Sequence, residues 1–137
     1  MTSAPRAAPT TAPTTAPAAP TAAQRAGAGA ELQARRLLQD AGLHYVAANV
    51  RYKVGELDLV MRDGAALVFV EVRLRSTSGF GGAAASVDHR KRLRLRRAAN
   101  RYLLDHFGQS AWPECRFDVV AFEAGRADWF KSAFDAQ

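Results

Sequence analysis

Cysteine is scarce in this chain, and the scarcity excludes several classes of protein at once. Cys115 stands alone, so there is no internal disulfide and no cysteine-built zinc site, and a reducing, cytoplasmic setting is expected. With no histidine near it in sequence, Cys115 reads as a small, partly buried strand residue. His44, His89 and His106 lack the spacing of metal ligands. No apolar run approaches the length of a membrane span. Residues 1–26 contain no acid and no large apolar side chain after Met1, yet hold five of the six prolines. Such a segment cannot bury enough surface to offset its ordering entropy and reads as a tail of polyproline-II character. Its regular prolines oppose the amphipathic helix of an organelle transit peptide, and it lacks the apolar centre of a secretion signal. The chain therefore divides into a tail, residues 1–26, and one domain, residues 27–137, long enough to bury a core.

Acid is missing from one further stretch. Between Arg90 and Arg101 the sequence RKRLRLRRAANR carries seven basic residues and no Asp or Glu, whereas the whole chain carries a formal +6. The rest of the chain is thus slightly negative, and the basicity is one patch. A helix from about Val87 to Phe107 gives it shape. Leu95, Ala98, Ala99, Tyr102 and His106 form an apolar stripe, and Arg90, Arg94, Arg97 and Arg101 recur at spacings of four, three and four on another face. Four arginines in line repel one another, whereas a merely solvated face mixes signs, so a polyanionic partner is expected. Arginine also suits phosphate, because its planar fork donates bidentately.

The richest stretch is GELDLVMRDGAALVFVEVRLR, Gly55 to Arg75. It reads as two strands around an Asp-Gly turn. The two-residue period of a strand puts Leu57 and Leu59 on one face of the first strand and Glu56, Asp58 and Val60 on the other. In the second strand it separates Val68, Val70, Val72 and Leu74 from Phe69, Glu71, Arg73 and Arg75. A two-residue turn at Asp63-Gly64 sets Glu56 opposite Glu71, and one at Gly64-Ala65 sets Asp58 opposite Glu71. Either register gathers acids on one face. Facing like charges destabilise a half-buried sheet by roughly 0.2–1 kcal/mol per pair, more if desolvated. A divalent cation, the neighbouring Arg73 or a raised carboxyl pKa would compensate.

The other elements are plainer. A helix is expected over Ala30 to Ala41, with Ala30, Ala34, Leu37, Leu38 and Ala41 on its apolar stripe and Gly42 as its stop. Glu31 then falls in its first turn, where the helix dipole favours a carboxylate and Arg35 lies at i+4. Strands follow over about His44 to Tyr52 and, late in the chain, Cys115 to Phe122, where Arg116 and Asp118 share a face. The glycine-rich Ser78 to Ser86 lacks the ending of a phosphate-binding loop and reads as a flexible connection. The segment from Ala127 to Gln137 supplies Trp129, Phe130 and Phe134 for a final helical turn or short strand. The fold class is α/β, a mixed sheet of about four or five strands flanked by helices.

GELDLV, Asp-Gly and LVFVEVR, preceded by a helix bearing Glu31 and followed by the arginine-rich helix and RFDVV, closely resemble the bacterial YraN-like proteins over about Gly27 to Phe122. These look like members of the restriction-endonuclease-like superfamily, named for its PD-(D/E)-x-K pattern and related to Holliday-junction resolvases. The resemblance implies a restriction-endonuclease-like core and a nuclease site using Mg²⁺ or Mn²⁺. Asp58 and Glu71 match the acids of the two half-motifs, and Glu31 matches the helix acid that often completes the metal site. Arg73 falls where the superfamily's lysine belongs. An arginine there keeps the electrostatic role but cannot serve as a base, its pKa lying above about 12.

Two functions of different class follow. The first is a metal-dependent endonuclease, with Asp58, Glu71 and Arg73 at the reacting phosphate and Asp58, Glu71 and Glu31 as metal ligands. Arg75, Arg90, Lys91, Arg94, Arg97 and Arg101 would hold the nucleic acid, for which the resemblance implies DNA. The second is a nucleic-acid-binding module of the same fold without turnover. A third, lesser reading sets the basic helix against an acidic protein. Glu56 is either a further ligand or a solvated neighbour, with the second weighted.

Overall fold

The computed structural model describes residue 19, residues 21–75 and residues 88–134 of the chain. The glycine-rich segment Ser78 to Ser86 and most of the N-terminal stretch lie outside the described residues, as does the side chain of Arg75.

Helix α1 (Ala22–Asp40) comes first. It begins several residues before the expected Ala30, inside the stretch read as tail. The cause is local: Thr21 caps it, accepting from the Gln24 N–H at 3.1 Å, while the Gln24 side chain accepts from the Thr21 N–H at 2.8 Å. This reciprocal capping box satisfies two amide groups of the first turn. Glu31 consequently sits in the middle of α1 rather than in its first turn, and the dipole argument for it falls away.

Strands β1 (His44–Tyr52), β2 (Gly55–Asp63) and β3 (Ala66–Arg75) form an antiparallel meander. Helix α2 (His89–Phe107) carries the chain to β4 (Cys115–Glu123), parallel to β3, and β5 (Arg126–Phe134) folds back antiparallel on β4. Among the described residues the sheet has five strands, in sequence order. The final segment is thus a full edge strand. It turns through Ala124-Gly125, both at positive φ (50° and 77°), as a two-residue hairpin of type I′ requires.

The two described helices cover opposite faces of this mixed sheet, which is the expected α/β sandwich. Ala34 and Leu38 of α1 pack with Leu59, Met61, Val68, Val70 and Val120. Leu95, Ala98, Ala99, Tyr102 and Leu103 of α2 pack with Val60, Phe69, Phe117 and Val119. Being covered on both sides, β3 and β4 read in sequence as nearly continuous apolar runs. His106 leaves the expected stripe, stacking on Tyr102 at 3.9 Å while Leu103 is buried in its stead. Cys115 is partly buried in β4, as read from the sequence.

The β2–β3 register runs from Asp63 opposite Ala66 to Leu59 opposite Val70. The turn is therefore Gly64-Ala65, with Gly64 at φ 61°, the first central position where a type II′ turn needs a glycine. Beyond Leu59 the ladder stops. Leu57 then packs on the α2 side while Leu59 packs on the α1 side, so the two do not share the face that strict alternation gives them. The strand is redirected where the two acids face each other.

Candidate functional site

Continuing the register past Leu59 and Val70 brings Asp58 opposite Glu71. There the Val72 N–H, which would otherwise extend the ladder, donates to Asp58 Oδ2 at 2.9 Å. The carboxylate is wedged into the split between the strands by a backbone bond. Glu71 is 4% exposed. Burial, then the Glu71 charge and a hydrogen bond shared with it, push the Asp58 pKa from 3.8 up to about 7, against the opposing pull of the Val72 N–H and Lys91.

The basic partners come from two elements. Lys91 Nζ of α2 lies 2.5 Å from Glu71 Oε1, and Arg73 Nη1 of β3 lies 3.6 Å from the same oxygen. Of the three compensators expected from sequence, the raised pKa and Arg73 are both present. Lys91 is an addition, having been grouped with the surface arginines. A signal for it was nonetheless there: positions 91, 95, 98 and 102 follow helical spacing, so Lys91 heads the core-facing stripe of Leu95, Ala98 and Tyr102.

Asp58, Glu71, Lys91 and Arg94 line a cavity of about 360 Å³ between the β1–β2 turn and α2. Gly55 makes this approach possible, since a Cβ there would lie 2.6 Å from the Arg94 carbonyl oxygen. From the cavity the arginine stripe runs outward along α2, with Arg90, Arg94, Arg97 and Arg101 all exposed. At its far end Arg101 pairs with Asp105 at 3.3 Å.

On the α1 side, Glu31 and Asp58 line a second cavity of about 630 Å³ with Asn49. With the Asn49 amide nitrogen turned toward Glu31, it donates to Oε1 at 3.0 Å and Oε2 at 3.1 Å. Asn49 holds φ 54°, a left-handed conformation that asparagine tolerates better than most residues. It is a site residue that sequence reasoning missed. Burial first, then the Asp58 charge, raise the Glu31 pKa. Arg35, expected to pair with Glu31, instead stacks its guanidinium over Tyr45 at 3.6 Å. Asp58 thus stands between Glu71 on one side and Glu31 on the other. Among the described residues, no three His, Cys, Asp or Glu side chains close into a metal cage. Glu56 is exposed and pairs with Arg51 at 3.7 Å.

The sequence profile of the Uncharacterised protein family UPF0102 matches residues 30–122, from within α1 to the end region of β4. The chain belongs to this family. A UPF0102 protein of Bordetella petrii is 56% identical over 115 residues, covering 81% of this chain and 70% of its own. One from Serratia proteamaculans is 53% identical over 114 residues, covering 82% and 97%. The UPF0102 protein YraN of Escherichia coli strain SE11 is 47% identical over 112 residues, covering 82% and 86%. The family match takes in Glu31, Asn49, Asp58, Glu71, Lys91 and the arginine stripe, and ends before β5. No described helix is long and apolar enough to cross a membrane.

Proposed function

We propose that this protein binds nucleic acid, DNA in the first instance, and hydrolyses its phosphodiester backbone with Mg²⁺ or Mn²⁺ held at Asp58 and Glu71. The observation that carries the reading is the pairing of these two carboxylates in a strand split at the head of an arginine-lined helix. The donor set fits the cation. Both groups offer hard oxygens, magnesium is commonly held by one or two carboxylates with water in its other positions, and the charge conflict that pushes Asp58 to about 7 is the kind a divalent cation relieves. When bound, the cation supplies Lewis acidity to the phosphate and a lowered pKa to a coordinated water.

The remaining roles belong to the chain. Asp58 is oriented by the Val72 N–H. Arg73, beside Glu71, stabilises charge developing on the phosphate. Glu31, on the far side of Asp58, would act through the second cavity rather than as a direct neighbour of Glu71. Arg90, Arg94, Arg97 and Arg101, with Arg75 at the end of β3, would grip phosphates without reading bases, so binding should weaken steeply with salt. This agrees with the resemblance to the restriction-endonuclease-like superfamily.

The test is a cleavage panel over duplex, branched and single-stranded DNA and RNA, with Mg²⁺, Mn²⁺ or chelator. Cleavage should require the metal, and Asp58→Ala should abolish it while leaving salt-sensitive binding. Metal-independent cleavage would sink the proposal. The second reading, binding without turnover, is favoured by Arg73 in a lysine's position. It predicts the same binding and no cleavage by the wild type.

A further inference from the structure

The first turn of α2 delivers a lysine to the buried Glu71. Lys91 sits at the positive end of the helix dipole, in a turn that has no acidic residue. A cation there works against the dipole. It is held firmly all the same: its N–H donates to the Asp88 cap at 2.9 Å, and its side chain leads the stripe that packs Leu95 and Ala98 into the core. Its Nζ lies against Glu71 and faces the cavity shared with Asp58 and Arg94. Its side chain is 35% exposed, so the ammonium stands at the boundary between the buried acid and the open cavity. Arg73 reaches the same Glu71 oxygen only at 3.6 Å.

We propose that Lys91, delivered by helix α2 to the Glu71 carboxylate, is the cation that contacts the reacting phosphate at this site, with Arg73 in a supporting position. The inference rests on the hydrolytic reading above. An ammonium has three donors. One is spent on Glu71, and the other two can reach a non-bridging phosphate oxygen and the attacking water. In the reaction the water oxygen bonds to phosphorus and the bond from phosphorus to the leaving ester oxygen breaks. The water gives one proton to solvent and the leaving oxygen takes one from solvent. Lys91 stays charged throughout, stabilising negative charge as it gathers on the phosphate. A surface arginine of the stripe would act differently, binding substrate and transition state alike.

Three variants of the full chain, Lys91→Met, Lys91→Arg and Arg73→Met, separate these roles through kcat and KM on a cleaved substrate and through Mn²⁺ affinity by calorimetry. Lys91→Met should lower kcat about 100-fold, the scale of losing one donor to a developing oxyanion, with KM within about threefold. Lys91→Arg should retain more activity than Lys91→Met, and Arg73→Met should cost less than about tenfold. Mn²⁺ should bind several-fold more tightly to Lys91→Met, because an ammonium no longer competes for Glu71. Should Lys91→Met fail to fold, Lys91→Gln, which removes the charge but keeps a neutral donor, should retain less kcat than Lys91→Arg and still bind Mn²⁺ more tightly than wild type. An unchanged kcat, a loss confined to KM, or unchanged Mn²⁺ affinity in an active protein would overturn the assignment of Lys91 alone. A wild type that cleaves nothing overturns the hydrolytic reading itself.

Discussion

Two buried acidic places on one sheet have opposite characters. On β4, Asp118 is fully buried and its carboxylate is fully engaged: Oδ1 accepts from the Ser132 N–H at 2.9 Å and Arg116 Nε at 3.1 Å, and Oδ2 accepts from Trp129 Nε1 at 2.9 Å. Arg116 continues to Asp63 at 2.8 Å, tying the β2–β3 turn to the sheet. At the split between β2 and β3, Asp58 has one backbone donor and faces another carboxylate. A buried charge surrounded by donors is a structural element, whereas one opposed by a like charge fits the proposed cation site.

The largest test of this contrast is Asp118→Ala. It takes from Arg116 one of its two carboxylate partners, leaves the Trp129 indole N–H and the Ser132 N–H without theirs, and should cost about 3–5 kcal/mol in a urea titration, the scale of breaking one side of a buried ion pair. Equal stability of Asp118→Ala and wild type would erase the distinction. Next comes Gly55→Ala, whose Cβ would meet the Arg94 carbonyl at 2.6 Å. Overpacking of this kind costs about 1–3 kcal/mol. Because it shifts α2 from the acids, it should impair the site while leaving the Asp118 network, followed by Trp129 fluorescence, intact.

Asp58→Asn should go the other way. The folded pKa of about 7 lies above the ordinary 3.8, so the folded protein binds the Asp58 proton more tightly than the unfolded chain. Wild-type stability from this group is fully present below pH 3.8 and is lost as pH rises to about 7. The variant lacks that loss. It should therefore match wild type more closely at pH 4 and exceed it by about 1–2 kcal/mol at pH 8, measured by denaturant melts. A variant less stable than wild type at pH 8 would mean that the facing carboxylates are not in conflict. The smallest effect is that of Arg97→Ala, which should weaken nucleic-acid binding evenly across sequences and reduce the slope of log affinity against log salt by about 1.

The sequence carried the site's acids because strand alternation and an Asp-Gly turn are local signals. It left two registers open, and only the Gly64-Ala65 turn settled that Asp58, not Glu56, faces Glu71. Alternation failed at Leu57 although β2 stays paired with β1 there, Leu57 lying opposite Val50: the β2–β3 ladder ends at Leu59, and Asn49, between the β1 partners of Leu57 and Leu59, holds a left-handed φ of 54°. The start of α1 was hidden because alanine and glycine before Ala30 give no apolar stripe, and the Thr21–Gln24 cap that begins it sits beside prolines. Strand β5 was half legible, its Ala-Gly turn being less distinctive than Asp-Gly. Lys91 was submerged in a run of arginines, although its spacing to Leu95 marked it as core-facing.

The claim that the Asp58–Glu71 pair is built for a divalent cation is tested most directly by calorimetric titration of Mn²⁺ into wild type and Asp58→Ala near pH 6.5, in two buffers of different ionisation heat. Wild type should bind Mn²⁺ and release part of a proton as Asp58 ionises, and Asp58→Ala should lose both the binding and the release. Binding of equal strength to both proteins, or none to wild type, would contradict it.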